Sequence, residues 1–374
     1  MSVDSTTQQI SRLTPLATIR ALIEARIDPV VPRACPVASA YRRVLAADVT
    51  ASKLPPAPIA LRDGFAVAAG AISDAGPYAP VPFAAPPQRV DAGEPLPEGT
   101  DAVLPLDAVQ EQGGTAAAIA SIAPGEGVLA AGGDISAGAI LCKAGAQLRA
   151  SDIAVLAAAG IADVTVCEPR LHMACGTNPK TPLARAVMDM LARVIVAAGG
   201  TLFEADSEAE RLFEALNEAR ADAGFVIGGT GRGRGDASVR RFARFGRLAA
   251  HGIAIAPGET AALGFIGARP VLLLPGRLDS ALAGWLFMGR HIVARLAGGR
   301  MEDAAKMLTL KRKVTSTVGL AELIPVRCAN GMADPLTSGY LSFESLAGSD
   351  GWISVPADSE GFAAGTQVAV RPWP

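Results

Sequence analysis

Hydrophobic positions follow two spacings in the second half of this chain, and together they predict alternating strands and helices. Short continuous apolar runs predict buried strands near residues 171–175, 201–204, 225–228 and 270–274. Apolar residues at helical spacing predict helices near residues 182–198, 207–220, 238–245 and 279–297. This alternation predicts a mostly parallel sheet that helices cover on both faces.

The rest of the chain has a different pattern. Helical spacing predicts helices over residues 16–26 and 151–160, whereas short apolar runs between frequent turns predict β structure. We therefore expect a multidomain α/β plus β protein with an inserted β module. The predicted domains are a helical N-terminal domain over 8–48 and 140–168, the β module over 49–139, an α/β domain over 169–300 and a C-terminal β domain over 305–374.

Composition narrows the class of protein. Hydrophobic residues make up 50% of the chain and aromatic residues only 5%, which is typical of an α/β interior. The net charge of −2 gives no reason to expect nucleic-acid binding. No apolar stretch is long enough for a membrane span, and the first residues lack a signal-peptide pattern, so we expect a cytoplasmic protein. Scattered cysteines and histidines indicate neither a disulfide framework nor a zinc site.

One glycine-rich loop carries the strongest chemical signal. It follows the strand predicted near 225–228, precedes a helix and includes two arginines; its residues are Gly228, Gly229, Thr230, Gly231, Arg232, Gly233, Arg234, Gly235 and Asp236. Glycines let backbone N–H groups turn towards an anion, and guanidinium groups bind phosphate oxygens. The loop therefore predicts a phosphate site, although it matches neither a Walker nor a dinucleotide motif. A flexible surface turn is the alternative reading.

Two more loops follow predicted strands of the same sheet. One contains Gly176, Thr177 and Asn178, and the other contains Pro275, Gly276, Arg277 and Ser280. Ligands of open parallel sheets bind at the carboxyl ends of the strands. Each loop alone is compatible with an ordinary turn, but together they predict a pocket for a polar, phosphorylated ligand. In the β module, Asp63-Gly64 and Gly132-Gly-Asp-Ile135 taken alone are best explained as tight turns.

The order of these motifs resembles the MoeA family of molybdopterin molybdotransferases, which includes the E domain of gephyrin. The matching segments are Arg43-Val-Leu-Ala-Ala-Asp48, Arg62–Val67, Ala92–Val103, Gly132–Ile135, Gly228–Asp236, Pro257-Gly258 and Leu274-Pro-Gly276. The glycine-rich loop also resembles that of the molybdopterin adenylyltransferases. The resemblance implies that the α/β domain is a MogA-like molybdopterin-binding domain and that the C-terminal domain resembles a β-barrel.

The resemblance also implies an activity. Members of this family insert molybdate into adenylylated molybdopterin and release AMP, with Mg²⁺ assisting, and their homodimers form the cleft between the α/β domain of one subunit and the β module of the other. By carry-over, the catalytic candidates are Asp63, Asp134, Asp222 and Asp236, and the metal candidates are Asp236 and Asp222. The glycine-rich loop would hold the pterin phosphate. Possible partners are a molybdopterin adenylyltransferase and client molybdoenzymes, with no nucleic acid and no membrane.

Several positions depart from the family pattern. Thr177 and Asn178 replace two carboxylates, and Ala256 and Glu259 replace two lysines of a K-P-G-K-P loop. A dianionic ligand is sensitive to such a change at close range. Three hypotheses stay open: a divergent molybdotransferase, a non-catalytic protein that binds or delivers molybdopterin or the finished cofactor, and an unrelated nucleotide-binding α/β protein.

Overall fold

The computed structural model describes residues 8, 10–112, 114–177, 181–206, 209–299 and 304–374. The chain forms two compact units: a larger unit of residues 1–47, 144–153 and 163–374, and a smaller unit of residues 48–143 and 154–162. The helices found in the described ranges are all too short or too polar to cross a lipid bilayer.

The first part of the chain contains two helices and short strands. The helices are α1 (Leu16–Arg26) and α2 (Ala150–Ala158). The strands are β1 (Arg33–Pro36), β2 (Val44–Leu45), β3 (Val49–Thr50), β4 (Ile59–Ala60), β5 (Gly64–Val67), β6 (Val81–Pro82), β7 (Gln88–Val90), β8 (Ala102–Leu104), β9 (Val109–Gln112), β10 (Thr115–Ala118), β11 (Val128–Leu129), β12 (Ile140–Cys142) and β13 (Asp163–Cys167).

The smaller unit is built from antiparallel β structure, as its turn-rich sequence predicts. Its strands pair in the orders β7-β5-β8, β6-β10-β9, β11-β4 and β12-β3. Val67, Ile72 and Leu104 belong to one of its buried clusters, and Ala66 and Val103 belong to a second. Alternate residues of β5 thus face different cores, because successive side chains of a strand point to opposite faces.

The α/β part of the larger unit follows along the chain. Its helices are α3 (Pro182–Ala197), α4 (Ala209–Asn217), α5 (Ser238–Phe242), α6 (Leu278–Gly284) and α7 (Arg290–Leu296), with a π-helical segment (Trp285–Gly289) joining the last two. Its strands are β14 (Arg170–Cys175), β15 (Thr201–Asp206), β16 (Ala223–Ile227), β17 (Arg247–His251), β18 (Ile255–Ala256), β19 (Ala262–Ile266) and β20 (Arg269–Leu274).

Within the described ranges the central sheet has six strands in the order β15-β14-β16-β20-β19-β17. The first four run parallel, which confirms the predicted α/β sheet. β19 and β17 are antiparallel additions at one edge, and the sequence pattern did not reveal them. They form a hairpin-like pair before β20, so the sheet is mixed rather than wholly parallel.

Helices cover both faces of this sheet because the strand side chains alternate between two apolar cores. On one face, Phe225 and Leu272 pack in a core that also receives residues of α1, α3, α6 and α7. On the other face, Val226 and Leu273 pack with Phe213 of α4 and residues of α5. Strands buried on both sides read as continuous apolar runs, which explains why periodicity located β16 and β20.

The C-terminal part of the chain forms a barrel. Its elements are β21 (Lys306–Leu310), β22 (Val314–Thr315), β23 (Ala321–Ala329), β24 (Met332–Pro335), α8 (Phe343–Ala347), β25 (Gly351–Val355), β26 (Gly361–Phe362) and β27 (Gln367–Pro372). The order β23-β24-β21-β27-β25 closes through pairing of β25 with β23, so five described strands make a closed barrel. This closure confirms the predicted barrel-like domain.

The close contact between β19 and α5 gives a test of the fold. A Cβ added at Gly264 would overlap the Phe242 ring and lie 3.0 Å from the Arg247 carbonyl oxygen. We expect Gly264→Ala to lower the free energy of unfolding by about 1–3 kcal/mol, the usual cost of overpacking, in urea denaturation. Gly70→Ala is the control, because nothing lies within 4 Å of its added Cβ. Equal stability of the two variants would contradict this packing.

Candidate functional site

The candidate site lies where three parallel strands end. The Gly176 N–H donates to the Ile227 carbonyl at 2.7 Å, and the Gly228 N–H donates to the Leu274 carbonyl at 2.8 Å. These two bonds continue the β-ladder one residue past β14 and β16. The loops after β14, β16 and β20 therefore begin side by side at the carboxyl edge of the sheet, the edge at which ligands of open α/β sheets bind.

Glycines make this approach of the loops possible. Gly228 and Gly229 have positive φ angles of 89° and 73°, which side chains other than glycine rarely adopt. A Cβ at Gly228 would lie 2.8 Å from the Thr177 hydroxyl oxygen, and one at Gly176 or Gly229 would overlap the Ser238 hydroxyl. The loop therefore depends on glycine for both its backbone angles and its close packing.

Thr230 anchors the glycine-rich loop (residues 228–236) inside the protein. Its side chain is buried, and its hydroxyl oxygen lies 3.1 Å from that of Thr260. Its carbonyl oxygen lies 2.9 Å from His251 Nε2, and because a carbonyl only accepts, Nε2 carries the proton. Ser238 adds a bond from its hydroxyl to the Gly228 carbonyl at 2.8 Å. These contacts fix the first half of the loop, whose predicted ligand role stays a prediction.

Gln8 is the part of this site that sequence reasoning missed. Its side chain is buried, although it lies more than 220 residues before the loop. The amide nitrogen donates to the carbonyls of Gly229 (3.1 Å) and Gly231 (2.9 Å), and the amide oxygen accepts from the N–H groups of Val239 (2.9 Å) and Arg240 (3.1 Å). One side chain thus ties the loop to the start of α5.

The second half of the glycine-rich loop is more exposed. The Asp236 carboxylate accepts from the Gly233 N–H at 2.7 Å and closes a tight turn. Arg232 donates to the Ile10 carbonyl at 2.6 Å, so it is engaged by the segment that follows Gln8. Arg234 is exposed. Arg234 is thus the loop arginine best placed to meet a ligand from solvent.

The loop after β20 supplies a fixed cation. Arg277 pairs with the buried Asp279 at 3.2 Å and lies over the Tyr340 ring, 5.0 Å from its centroid. Hydrogen bonds with Tyr340 and then with Asp279 raise the pKa of Arg277 above its already high ordinary value. Asp279 also accepts from the Ser280 backbone and hydroxyl at 2.8 and 3.2 Å. Arg277 therefore remains charged and is held in place beside the site.

Pro275 and Gly276 complete this third loop. A Cβ added at Gly276 would lie 3.3 Å from the Gly228 Cα, which shows how closely the two loops pack. Residues 256–260, which correspond to the K-P-G-K-P loop of the family pattern, also border the site, because the Thr260 hydroxyl contacts the Thr230 hydroxyl. Here Ala256 is buried, and the Glu259 carboxylate accepts from the Gly258 N–H at 3.2 Å. A carboxylate therefore lies in the segment where the family pattern has a lysine.

Asp222 lies away from the glycine-rich loop. Asp222 precedes β16, so it lies at the amino edge of the sheet, where its carboxylate accepts from the Arg170 N–H at 2.7 Å and pairs with the Arg170 guanidinium. The glycine-rich loop leaves the other end of the same strand. The structure therefore does not bring Asp222 and Asp236 together within the chain, and their metal-binding and catalytic roles stay predictions. Asn178 lies outside the described residues.

The other acidic candidates lie in the smaller unit. Asp63 is exposed and accepts from the Ala92 N–H at 2.9 Å, while the exposed Asp134 donates its N–H to the Leu54 carbonyl at 3.0 Å. Both sit in turns, and their catalytic roles stay predictions. No cluster of at least three His, Cys, Asp or Glu residues that could hold a metal ion occurs in the part of the chain that the structure describes.

Comparison with known proteins identifies a family. The model of the MoeA N-terminal region (domains I and II) matches residues 4–160, and that of the MoeA C-terminal region (domain IV) matches residues 307–373. Molybdopterin molybdenumtransferase 2 of Mycobacterium tuberculosis is 27% identical over 402 aligned residues, which cover 92% of this chain and 97% of that protein. A putative molybdopterin biosynthesis protein of Methanocaldococcus jannaschii is 24% identical and covers 76% of this chain and 75% of its own length.

Solved structures agree on the fold. Two crystal structures of the molybdopterin biosynthesis MoeA protein from Pyrococcus horikoshii match 97% of this chain and 100% of theirs. Their TM-scores are 0.72 and 0.73, at sequence identities of 23% and 25%. The described elements of this chain are therefore those of the same fold.

The four hydrogen bonds of the Gln8 side chain give a test of the site. We expect Gln8→Ala to release the amides of Val239 and Arg240, because their acceptor is removed, and to lower stability by about 2 kcal/mol. Hydrogen exchange of these amides and urea unfolding measure the two effects. Gln367→Ala is the matched control, since among the described residues that side chain bonds Thr309 at an exposed position. Unchanged exchange at Val239 and Arg240 would show that Gln8 does not hold the loop.

Proposed function

Because this chain belongs to the MoeA family, we propose that it is a molybdopterin molybdotransferase of molybdenum cofactor biosynthesis. The reaction inserts molybdate into adenylylated molybdopterin and releases AMP. The observation that carries the proposal is the meeting of the three loops at the carboxyl edge of the sheet. Relatives matched over nearly their whole length are named as transferases of this pathway. Those names favour an enzyme over the non-catalytic binding or delivery protein.

We assign phosphate binding to the glycine-rich loop. Its exposed half presents the Arg234 guanidinium, and the neighbouring loop presents Arg277, which Asp279 and Tyr340 hold in place. Guanidinium groups bind phosphate and related oxyanions through paired hydrogen bonds. In this proposal the two arginines bind the anionic substrates beside the loops that Gly228 and Gly276 allow to pack closely.

The same arginines offset the lost lysines. Ala256 and Glu259 leave the neighbouring segment without positive charge, and the Glu259 carboxylate would repel an oxyanion at close range. The Glu259 carboxylate accepts a hydrogen bond from the Gly258 N–H, so part of its negative charge is stabilised within its own turn. Arg234 and Arg277 are therefore the cations on which substrate binding depends in this chain.

Mg²⁺ is a proposal that rests on Asp236. Mg²⁺ in phosphate-transfer sites is held by one or two carboxylates together with substrate oxygens and water. Asp236 is the acidic residue of the glycine-rich loop, whereas Asp222 lies at the opposite edge of the sheet. Asp236 is therefore the single candidate ligand that this loop provides. The ion would neutralise phosphate charge when bound. Asp63 and Asp134 are proposed as further catalytic carboxylates from the smaller unit.

The assembly and location follow the family resemblance. We propose a cytoplasmic homodimer that receives its substrate from a molybdopterin adenylyltransferase and serves client molybdoenzymes. Sedimentation of the purified chain tests the dimer directly.

Genetic complementation tests the activity. We expect the gene to restore nitrate reductase activity to a bacterial strain that lacks its own molybdotransferase. Immunoblotting of the soluble fraction controls for expression. No recovery with abundant soluble protein would rule out the transferase and leave a binding role, which calorimetry with adenylylated molybdopterin would then test.

A pair of aspartate variants tests the site. We expect Asp236→Asn to lower molybdenum insertion at least about 100-fold, because removing one preorganised charged group has an effect of this order. Asp222→Asn is the control and should keep wild-type turnover, since Asp222 lies at the other edge of the sheet. Thermal melting checks that both variants fold. Normal turnover of Asp236→Asn would remove Asp236 from the mechanism.

A further inference from the structure

A second cavity in the larger unit lies at the edge of the sheet opposite the glycine-rich loop. It borders Ala197, the last residue of α3, and has a volume of about 370 Å³. Three arginines and two tryptophans supply the functional groups of its lining: Arg42, Arg290, Arg371, Trp285 and Trp373. Small-molecule sites in proteins have volumes of this order and combine apolar walls with a few polar groups.

The arginines of this cavity are held by the fold. Arg290 and Arg371 both approach the Trp352 ring, at 5.5 and 5.4 Å from its centroid. Arg42 donates to the Ala197 carbonyl at 3.2 Å. The lining thus brings three preorganised cations around one space.

The backbone at Arg42 is a second, independent observation. Its φ angle is 62°, in the left-handed region that residues with side chains seldom occupy. Such conformations persist only where the surroundings impose them, and they concentrate at ligand sites. Here the conformation places the Arg42 guanidinium beside the cavity.

Positive charge is crowded in this region. Burial, followed by the charge of Arg371, lowers the pKa of Arg20. Burial lowers the pKa of His291 to about 3, with further contributions from Arg20 and Arg290. His291 is therefore neutral at physiological pH.

We propose that this cavity is a binding site for a small organic anion that carries a planar ring, such as an aryl or heteroaryl phosphate or carboxylate. The guanidinium groups of Arg42, Arg290 and Arg371 would bind the anionic group. The half-buried indole ring of Trp373 would pack against the planar ring, while Trp285, which is 1% exposed, borders the cavity from the core. The site is separate from the glycine-rich loop and takes no part in the proposed transferase reaction.

The position of the tryptophans offers a direct readout. The chain contains three tryptophans, and two of them line the cavity while Trp352 contacts two of its arginines. We expect phenyl phosphate to change tryptophan fluorescence saturably and to bind at least about tenfold more tightly than inorganic phosphate or phenol in calorimetry. Absence of saturable binding would refute the site, and equal affinity for inorganic phosphate would refute the role of the ring.

Charge-neutralising variants locate the ligand. Arg371→Gln and Arg42→Gln should each weaken phenyl phosphate binding at least about tenfold. Arg42→Gln decides the matter if Arg371→Gln, which loses a contact with Trp352, folds poorly. Arg234→Gln removes the same charge from the glycine-rich loop and should leave the affinity unchanged. Weaker binding in Arg234→Gln with no effect of Arg42→Gln would place the anion in the glycine-rich loop and overturn the proposal.

Discussion

The site depends on the close approach of three backbone loops at one sheet edge. The parallel strands β14, β16 and β20 end in register, and the loops after β14 and β16 each begin with a hydrogen bond to the strand beside them. No side chain fits between Gly176, Gly228 and Gly276 without displacing a neighbour. The apolar cores on both faces keep the strands in register, so the burial of residues such as Phe225 and Val226 sets the geometry of the loops.

The local pattern of apolar residues was enough to predict the parallel strands of the sheet. Continuous apolar runs located the parallel strands because those strands are buried on both faces. The sequence pattern did not predict β17 and β19 because their short runs, Arg247–His251 and Ala262–Ile266, contain small residues and a glycine and few β-branched residues. The separation of Asp222 from Asp236 follows from the predicted strand near 225–228, because Asp222 precedes that strand and Asp236 follows it.

Contacts between distant parts of the chain account for the rest. The Gln8 amide meets the glycine-rich loop from the far end of the sequence, and nothing in the local composition around Gln8 marks it. The arginine-lined cavity likewise combines Arg42, Arg290 and Arg371 from three separate segments. The family comparison supplies what neither pattern nor packing contains, namely a role in molybdenum cofactor biosynthesis. In this chain, arginines stand in the loops after β16 and β20, whereas Ala256 and Glu259 stand where the family pattern has lysines.

The Gln8 contact has a practical consequence for handling the protein. Because Gln8 is held at the loop by four hydrogen bonds, its backbone lies next to the glycine-rich loop. Trp373 and Pro374 likewise line the arginine-lined cavity. A bulky group attached close to Gln8 or to Trp373 would therefore crowd the loop or the cavity. Tags on this protein should be cleaved before any binding measurement, or placed in an exposed turn such as the one at Gly319.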